Sequence, residues 1–486
     1  MKILLSIVLL TTAALLVHGY HLGIEDQAIY LPGIGKNLHP GLFPKDAELF
    51  LPQTRPTFLI EAVSLSVRAT RLPLEAAIFI WQILSLFLLL FAAWRLACRC
   101  FVAGEARWGA VVLLAALFSM PVAGTSLYVA DAYLHPRTLA TALILFAVVD
   151  VLDRRVRFAA IWIALAAIIH IQMAFYGFLL CCFLGWRPFQ SNQTSSAQPA
   201  GLLFAFPLQS LFQPGSDAWK EAARIHTQHY LRQWEWYEWL GAIAPPALLL
   251  WMSGLARKSG LELAAFVCRR AATFQVFSIA AALVLTLPPQ FERLTPYQPM
   301  RALHVTTLIF VLLAGGFIGQ FLLRRRVVLW LALFVPLCAC MFYVQTREFS
   351  GSDHLELPGM SVKNPWVRAF EWVKNNTPED AYFALDPLYM ERPGEDQHGF
   401  RGLSRRGMMA DALKDAGVVT LFPAIASRWR EETRARVNWN SFTVDDFLRL
   451  RERYGVSWVV LEKPLHVVMS CPYENEKVAV CRIENR

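Results

Sequence analysis

Four groups of polar residues stand where apolar runs of this chain end, and their types could do chemistry together. Glu25 and Asp26 lie side by side in "GIEDQAIY" (23–30), just after an apolar N-terminal segment. Asp131 lies in "YVADAYLHPR" (128–137), with His135 and Arg137 close behind. His226 and His229 share a polar stretch, three residues apart, and Glu292, Arg293 and Arg301 fall in "QFERLTPYQPMRALH" (290–304). A carboxylate in such a set can act as general base toward a hydroxyl. A second carboxylate can bind a divalent cation through oxygen. Arg301, Arg137 or Arg293, or that cation, can hold a phosphate whose charge grows as a leaving group departs.

Each group also has a structural reading. The acidic pair can anchor the end of a first helix, and Asp131 can pair with Arg137 across the start of another. His226 and His229 have metal-ligand spacing on one helix face but lack a third ligand. His170 and Gln172, inside an apolar run, suit hydrogen bonds between helices. "WEWYEW" (234–239) is first an interfacial aromatic anchor.

The elements that must position these residues are membrane helices. Of 486 residues, 56% are hydrophobic and 17% charged, with a mean hydropathy of +0.40, against roughly 45–50% apolar and about 25% charged in soluble domains. About nine apolar segments approach the ~20 residues of a helical span: 3–18, 74–97, 108–125, 137–152, 158–185, 239–256, 272–288, 302–323 and 327–345. The segment 158–185, interrupted by "HIQM", reads as one long tilted helix or two half-helices. The first span is expected to remain uncleaved.

The formal net charge of +9 does not call for nucleic acid, because much of it lies in short basic connections: "RLACRCFVAGEAR", "DRRVR", "ARKSGLELAAFVCRR" and "RRR". The positive-inside rule places these and the N-terminus in the cytoplasm. The loops 19–57, 126–136, 187–237 and 289–301, and the tail from 347, then all fall on the outer face of a multi-pass protein of the cell membrane. The 187–237 loop includes the low-complexity patch "SNQTSSAQP" with Asn192 in a sequon-like N-x-T. No internal repeat is evident.

The tail, 347–486, reads as a small extracytoplasmic α/β domain following the polytopic domain 1–346. "NPWVRAFEWVKNNTP" is a helix capped by Asn364, and "TVDDFLRLRERYG" an amphipathic helix ending at Gly455. "AYFAL", "VVTLF", "SWVVLE" and "KVAVCRI" read as strands. "GFRGLSRRG" is either a solvated loop or a contact for an anionic group. Cys471 and Cys481, on either side of a turn, can form a disulfide or remain thiols.

Outward loops, first-loop acids and an outward tail together resemble the GT-C superfamily of integral membrane glycosyltransferases. "GIEDQAIY" corresponds to the family's first-loop acidic motif, so the resemblance makes Asp26, or Glu25 beside it, the base. Asp131 takes the second acidic position, although the family often has a pair there. Arg301 takes that of the arginine some members use on phosphate or acceptor, and "WEWYEW" resembles the loop covering the donor lipid. The resemblance spans about residues 1–346 and matches no one member; no WWD-type signature is present, which argues against protein N-glycosylation. It implies an inverting transfer of a sugar from a polyprenyl-phosphate donor at the outer membrane face. The partners are that lipid-linked sugar and the bilayer. A cation, where used, would be Mg or Mn, with Asp26, Asp131, His226 and His229 as candidate ligands. The rival readings are a non-catalytic envelope scaffold of the same fold and a transporter of lipid-linked substrates.

Overall fold

A computed structural model describes residues 1–185 and 214–484; the patch 191–199 with Asn192 lies outside the described residues. Long apolar runs fold as helices because a backbone in hydrocarbon must satisfy its own hydrogen bonds. Among the described residues, five helical segments are long and apolar enough to cross a membrane: Leu74–Cys100, Trp236–Lys258, Glu262–Thr286, Pro289–Leu323 and Val327–Glu348. Lys2–His18, Val156–Ile169 and Ile171–Gly185 are shorter apolar helices, and Gly104–Ala116 and Pro136–Leu152 are packed among them.

Length and composition thus qualify five spans, not the nine expected. The segment 158–185 is two helices, broken at His170, whose backbone is extended (φ −154°, ψ 95°). The expected span 108–125 stops being helical at Ala116. The basic stretch 256–270 is mostly helix around a turn after Lys258, not a loop.

Small residues set the closest packing. A Cβ on Gly109 would lie 2.5 Å from the Gly315 carbonyl oxygen, and one on Gly319 would lie 2.4 Å from that of Glu105. The helices Gly104–Ala116 and Leu303–Phe317 therefore touch through backbone. At that end of the bundle the basic connections meet. Arg99 pairs with Asp153 at 2.6 Å and Arg325 with Glu105 at 2.8 Å. Val327–Glu348 runs along the outside, with none of its apolar window buried.

The opposite end carries the tail. Its five-stranded sheet has the order β2-β1-β3-β5-β4: β1 Tyr382–Ala384, β2 Gly407–Met408, β3 Trp458–Glu462, β4 Ser470–Glu474 and β5 Val478–Arg482. β1 is parallel to β2 and β3, and β5 is antiparallel to β3 and β4. Asn364 caps Pro365–Asn376 by accepting from the Trp366 N–H at 2.9 Å. Thr443 and Asp446 form a reciprocal capping box for Val444–Tyr454, which ends at left-handed Gly455. A disulfide joins Cys471 and Cys481. "VVTLF" is not a strand: it lies in the helix Lys414–Leu421 and just beyond. "GFRGLSRRG" starts as the short helix Phe400–Ser404, and its Arg401 is buried between Asp46 at 2.7 Å and Asp415 at 2.9 Å.

The tail shares its core with the loops. Trp219 and Ala222 of the helix Asp217–Ile225 pack with Phe43 and Phe50 from the first loop and with Val419 and Trp429 from the tail. A bridge between Tyr20 and Leu355, and another between Ile24 and His398, tie the first loop to the tail directly.

Candidate functional site

Asp26 sits at the turn into the helix Gln27–Leu38, preceded by Glu25 in a left-handed conformation (φ 51°). A left-handed glutamate is uncommon and is held here by its surroundings: its N–H donates to the Gln397 carbonyl at 3.0 Å. Asp26 remains 32% exposed while gripped from two sides. His135 Nε2 lies 3.2 Å from Oδ2 and Lys414 Nζ 3.6 Å from Oδ1. Lys414 also binds Glu25. The Arg137 N–H donates to His135 Nδ1 at 2.9 Å, which assigns the imidazole proton to Nε2, facing Asp26. Burial pushes the Asp26 carboxyl up, but Lys414, His135 and Arg137 outweigh it and hold the group well below the usual carboxylate range. Burial and then Arg137 push His135 down, so it faces Asp26 as a neutral donor.

Asp131 is differently occupied. It pairs with Arg137 at 2.6 Å, both buried, and the Thr138 hydroxyl donates to it at 3.4 Å. This is the pairing across a helix start that the sequence also allows. Arg137 is thereby committed to a carboxylate, although its charge reaches Asp26 and His135.

Arg301 has no carboxylate at ion-pair distance and no side-chain hydrogen bond among the described residues, and its Nε is buried without a partner. It lines a small cavity with His229, Gln228, Gln298, Thr125 and Trp234. Its placement depends on the helix break at His170. Gln172 and Tyr176, just beyond the break, donate to the Tyr297 carbonyl, Tyr176 at 3.0 Å. Tyr176 also lies 3.1 Å from the Gln298 carbonyl. Gln298 is left-handed (φ 43°), and its carbonyl accepts from the Arg301 N–H at 2.9 Å. The polar residues inside the apolar run thus pin the turn that presents Arg301.

His226 and His229 stack with ring centroids 5.2 Å apart. Burial and then Lys414 push His226 down to about 4; burial, then His226 and Arg301, push His229 down to about 2. Both are neutral, and His226 Nε2 and His229 Nδ1 have no partner among the described residues. The charges of Asp26, Arg301 and Lys414 all reach His226, so acid, arginine and histidines share one neighbourhood. Arg293 stands apart, its guanidinium 5.5 Å from the Trp219 ring centroid and 3.4 Å from the Pro214 carbonyl.

The donor set does not fit a divalent cation. Asp26 and Glu25 are engaged by an ammonium, Asp131 by a guanidinium, and among the described residues no three His, Cys, Asp or Glu side chains gather as metal ligands. Lys414, from "ALKDAG" in the tail, is the site member that the sequence reading missed; an ordinary surface-like lysine carries no pattern that would have found it. His135 was visible only as a neighbour of Asp131. Compared with models of known protein families and with curated proteins, the chain matches none.

Proposed function

We propose that this membrane protein is a glycosyltransferase of GT-C type that moves a sugar from a polyprenyl-phosphate donor to an acceptor hydroxyl at the outer membrane face. The observation that carries the reading is a partly exposed, ionised Asp26 with a half-buried Arg301 in its electrostatic reach, the Arg301 Nε having no partner among the described residues, at the end of the bundle where the polar loops gather. The acceptor oxygen attacks the anomeric carbon and gives its proton to Asp26. The bond from that carbon to the phosphate oxygen breaks with inversion. Arg301 takes the charge left on the polyprenyl phosphate, and neutral His229 and Gln228 line the same cavity as hydrogen-bonding groups. His135 orients Asp26 through Nε2–H. Asp131 with Arg137 fixes the backbone that carries His135.

The test uses the full chain in lipid nanodiscs with a panel of polyprenyl-phosphate sugars, reading release of polyprenyl phosphate. Wild type should turn over at least one donor, and Asp26→Asn should slow release by about 10²–10⁴-fold while still binding that donor. Equal release by the two proteins would remove Asp26 as the base, and no release by either would favour a scaffold.

A further inference from the structure

The acidic pair and the tail meet at one point, and that point is a cation. Lys414 begins the helix Lys414–Leu421, whose start is fixed by Asp411: its Oδ1 accepts from the N–H groups of Leu413 at 2.9 Å and Lys414 at 2.6 Å. Asp415, next in the chain, is clamped to Arg401 at 2.9 Å, and Arg401 to Asp46 of the first loop at 2.7 Å. A lysine stem on such a base has little freedom, and its side chain is only 12% exposed. It binds Glu25 and reaches Asp26 Oδ1 at 3.6 Å. The charged and titratable groups around Asp26 are Glu25 beside it, His135 and Arg137 at the start of the helix Pro136–Leu152, Lys414 from the tail, and Tyr30, Tyr133, His170, His226 and Arg301 further out.

Two adjacent carboxylates are where a divalent ion would settle if their charge were unbalanced. Here the balance is already supplied, and an ion entering would meet an ammonium in the same space. Resting on the glycosyltransferase reading, we propose that Lys414 is the resident cation of the acidic pair. It is a positioning residue, lent by the tail, that takes the place of a divalent metal and makes the transfer metal-independent. The tail is then part of the reaction centre: undocking it removes the cation from the base.

The binding arm of the test needs no turnover. Mn²⁺ binding to the full chain in nanodiscs is read by electron paramagnetic resonance. Wild type should bind no Mn²⁺ that Glu25→Gln or Asp26→Asn removes. Lys414→Gln, which strips the charge from between the two acids, should gain one Mn²⁺ per chain, and Lys414→Gln with Glu25→Gln should lose it again. Wild-type binding that depends on either acid would overturn the proposal, as would a folded Lys414→Gln that gains none. If Lys414→Gln fails to fold, the wild-type measurement still decides. The turnover arm adds EDTA. Wild type should keep its rate within about twofold, Lys414→Gln should lose about 100-fold, and Lys414→Arg should recover much of that loss. The acid limb of the Lys414→Gln pH–rate profile should move up by about one unit or more, because Asp26 loses its closest cation. A wild type that stops in EDTA and restarts with Mn²⁺ overturns the proposal but leaves the glycosyltransferase reading intact. A wild type inert toward every donor defeats that reading, and the resonance experiment then judges Lys414 alone.

Discussion

Two aspartates that look equivalent in the sequence have different surroundings, and their substitutions should differ in kind. Asp26 is 32% exposed and shared between a neutral histidine and a lysine; Asp131 is buried against Arg137. Asp26→Asn should reduce turnover by about 10²–10⁴-fold, the range of a lost general base, with little change in melting temperature. Asp131→Asn leaves a buried guanidinium without its anion and should cost about 3–5 kcal/mol of stability, read as a lowered thermal midpoint in detergent. Arg301→Gln should weaken polyprenyl-phosphate binding, measured by titration, with the helical circular dichroism signal unchanged, because Arg301 has no protein anion to lose among the described residues. Asp26 and Arg301 were legible because charges beside apolar runs are conspicuous. Lys414 was not, because its significance comes from a loop nearly 390 positions away in the chain, and no local pattern encodes that meeting. Asp131 was legible as a charge and ambiguous in role: spacing alone did not decide between a site and a pair with Arg137.

Elements with strong local signals came through, and those decided by packing did not. The caps at Asn364 and Thr443 operate through their own side chains within a few residues, so the sequence reveals them. "VVTLF" has strand composition, yet Asp411 starts a helix before it and Val418 and Val419 are buried in the core shared with Trp219; tertiary context overrode propensity. The joint between first loop and tail was invisible in sequence for the same reason, and it has a pH dependence of its own. Glu356 accepts from the Leu22 N–H at 3.0 Å and pairs with His398 at 3.4 Å, with His21 alongside. Burial pushes His398 down, but Glu356 outweighs it and lifts it to about 9. Burial pushes the fully enclosed Glu395 up to about 8, and neither of its oxygens has a partner among the described residues. Both groups hold a proton more tightly folded than unfolded, where ordinary values are about 4.3 and 6.5. Their contribution is therefore complete in acid and is lost with rising pH, Glu395 giving up its share up to about 8 and His398 up to about 9. Glu356 acts in the opposite sense: burial raises its carboxyl, His398 and His21 bring it well below the ordinary range, and its share is lost only as pH falls. Hydrogen exchange, corrected for intrinsic rates, should therefore show the Glu25 and Gly399 amides, bonded across the joint at 3.0 and 2.8 Å, losing protection between pH 7 and 9. Glu395→Gln should flatten that loss; an unchanged slope would remove Glu395 from the account.

At the scale of the whole molecule, two sets of groups occupy opposite ends of one helix bundle, and that arrangement turns sidedness into a single measurement. The Arg99–Asp153 and Arg325–Glu105 pairs draw three basic connections to one end. The Tyr20–Leu355 and Ile24–His398 bridges, with the core of Phe43, Trp219 and Trp429, draw the first loop, the helix Asp217–Ile225 and the tail to the other. The sequence groups the basic connections by their shared charge; among the described residues five helical segments meet the length and composition of a span. We propose, from the positive-inside rule, that the basic end faces the cytoplasm. The Arg325 side chain is 93% exposed, and that of Arg453, in the last turn of Val444–Tyr454, is 68% exposed, so each end offers an accessible cleavage point. Trypsin added to sealed right-side-out vesicles should cut near Arg453 and leave Arg154, Arg155 and Arg325 intact. Inside-out vesicles should give the reverse pattern. Cleavage of both sets from one face would mean that the bundle does not separate them across a bilayer, and a lipid-linked donor could not then reach Asp26 and Arg301 from the outer leaflet.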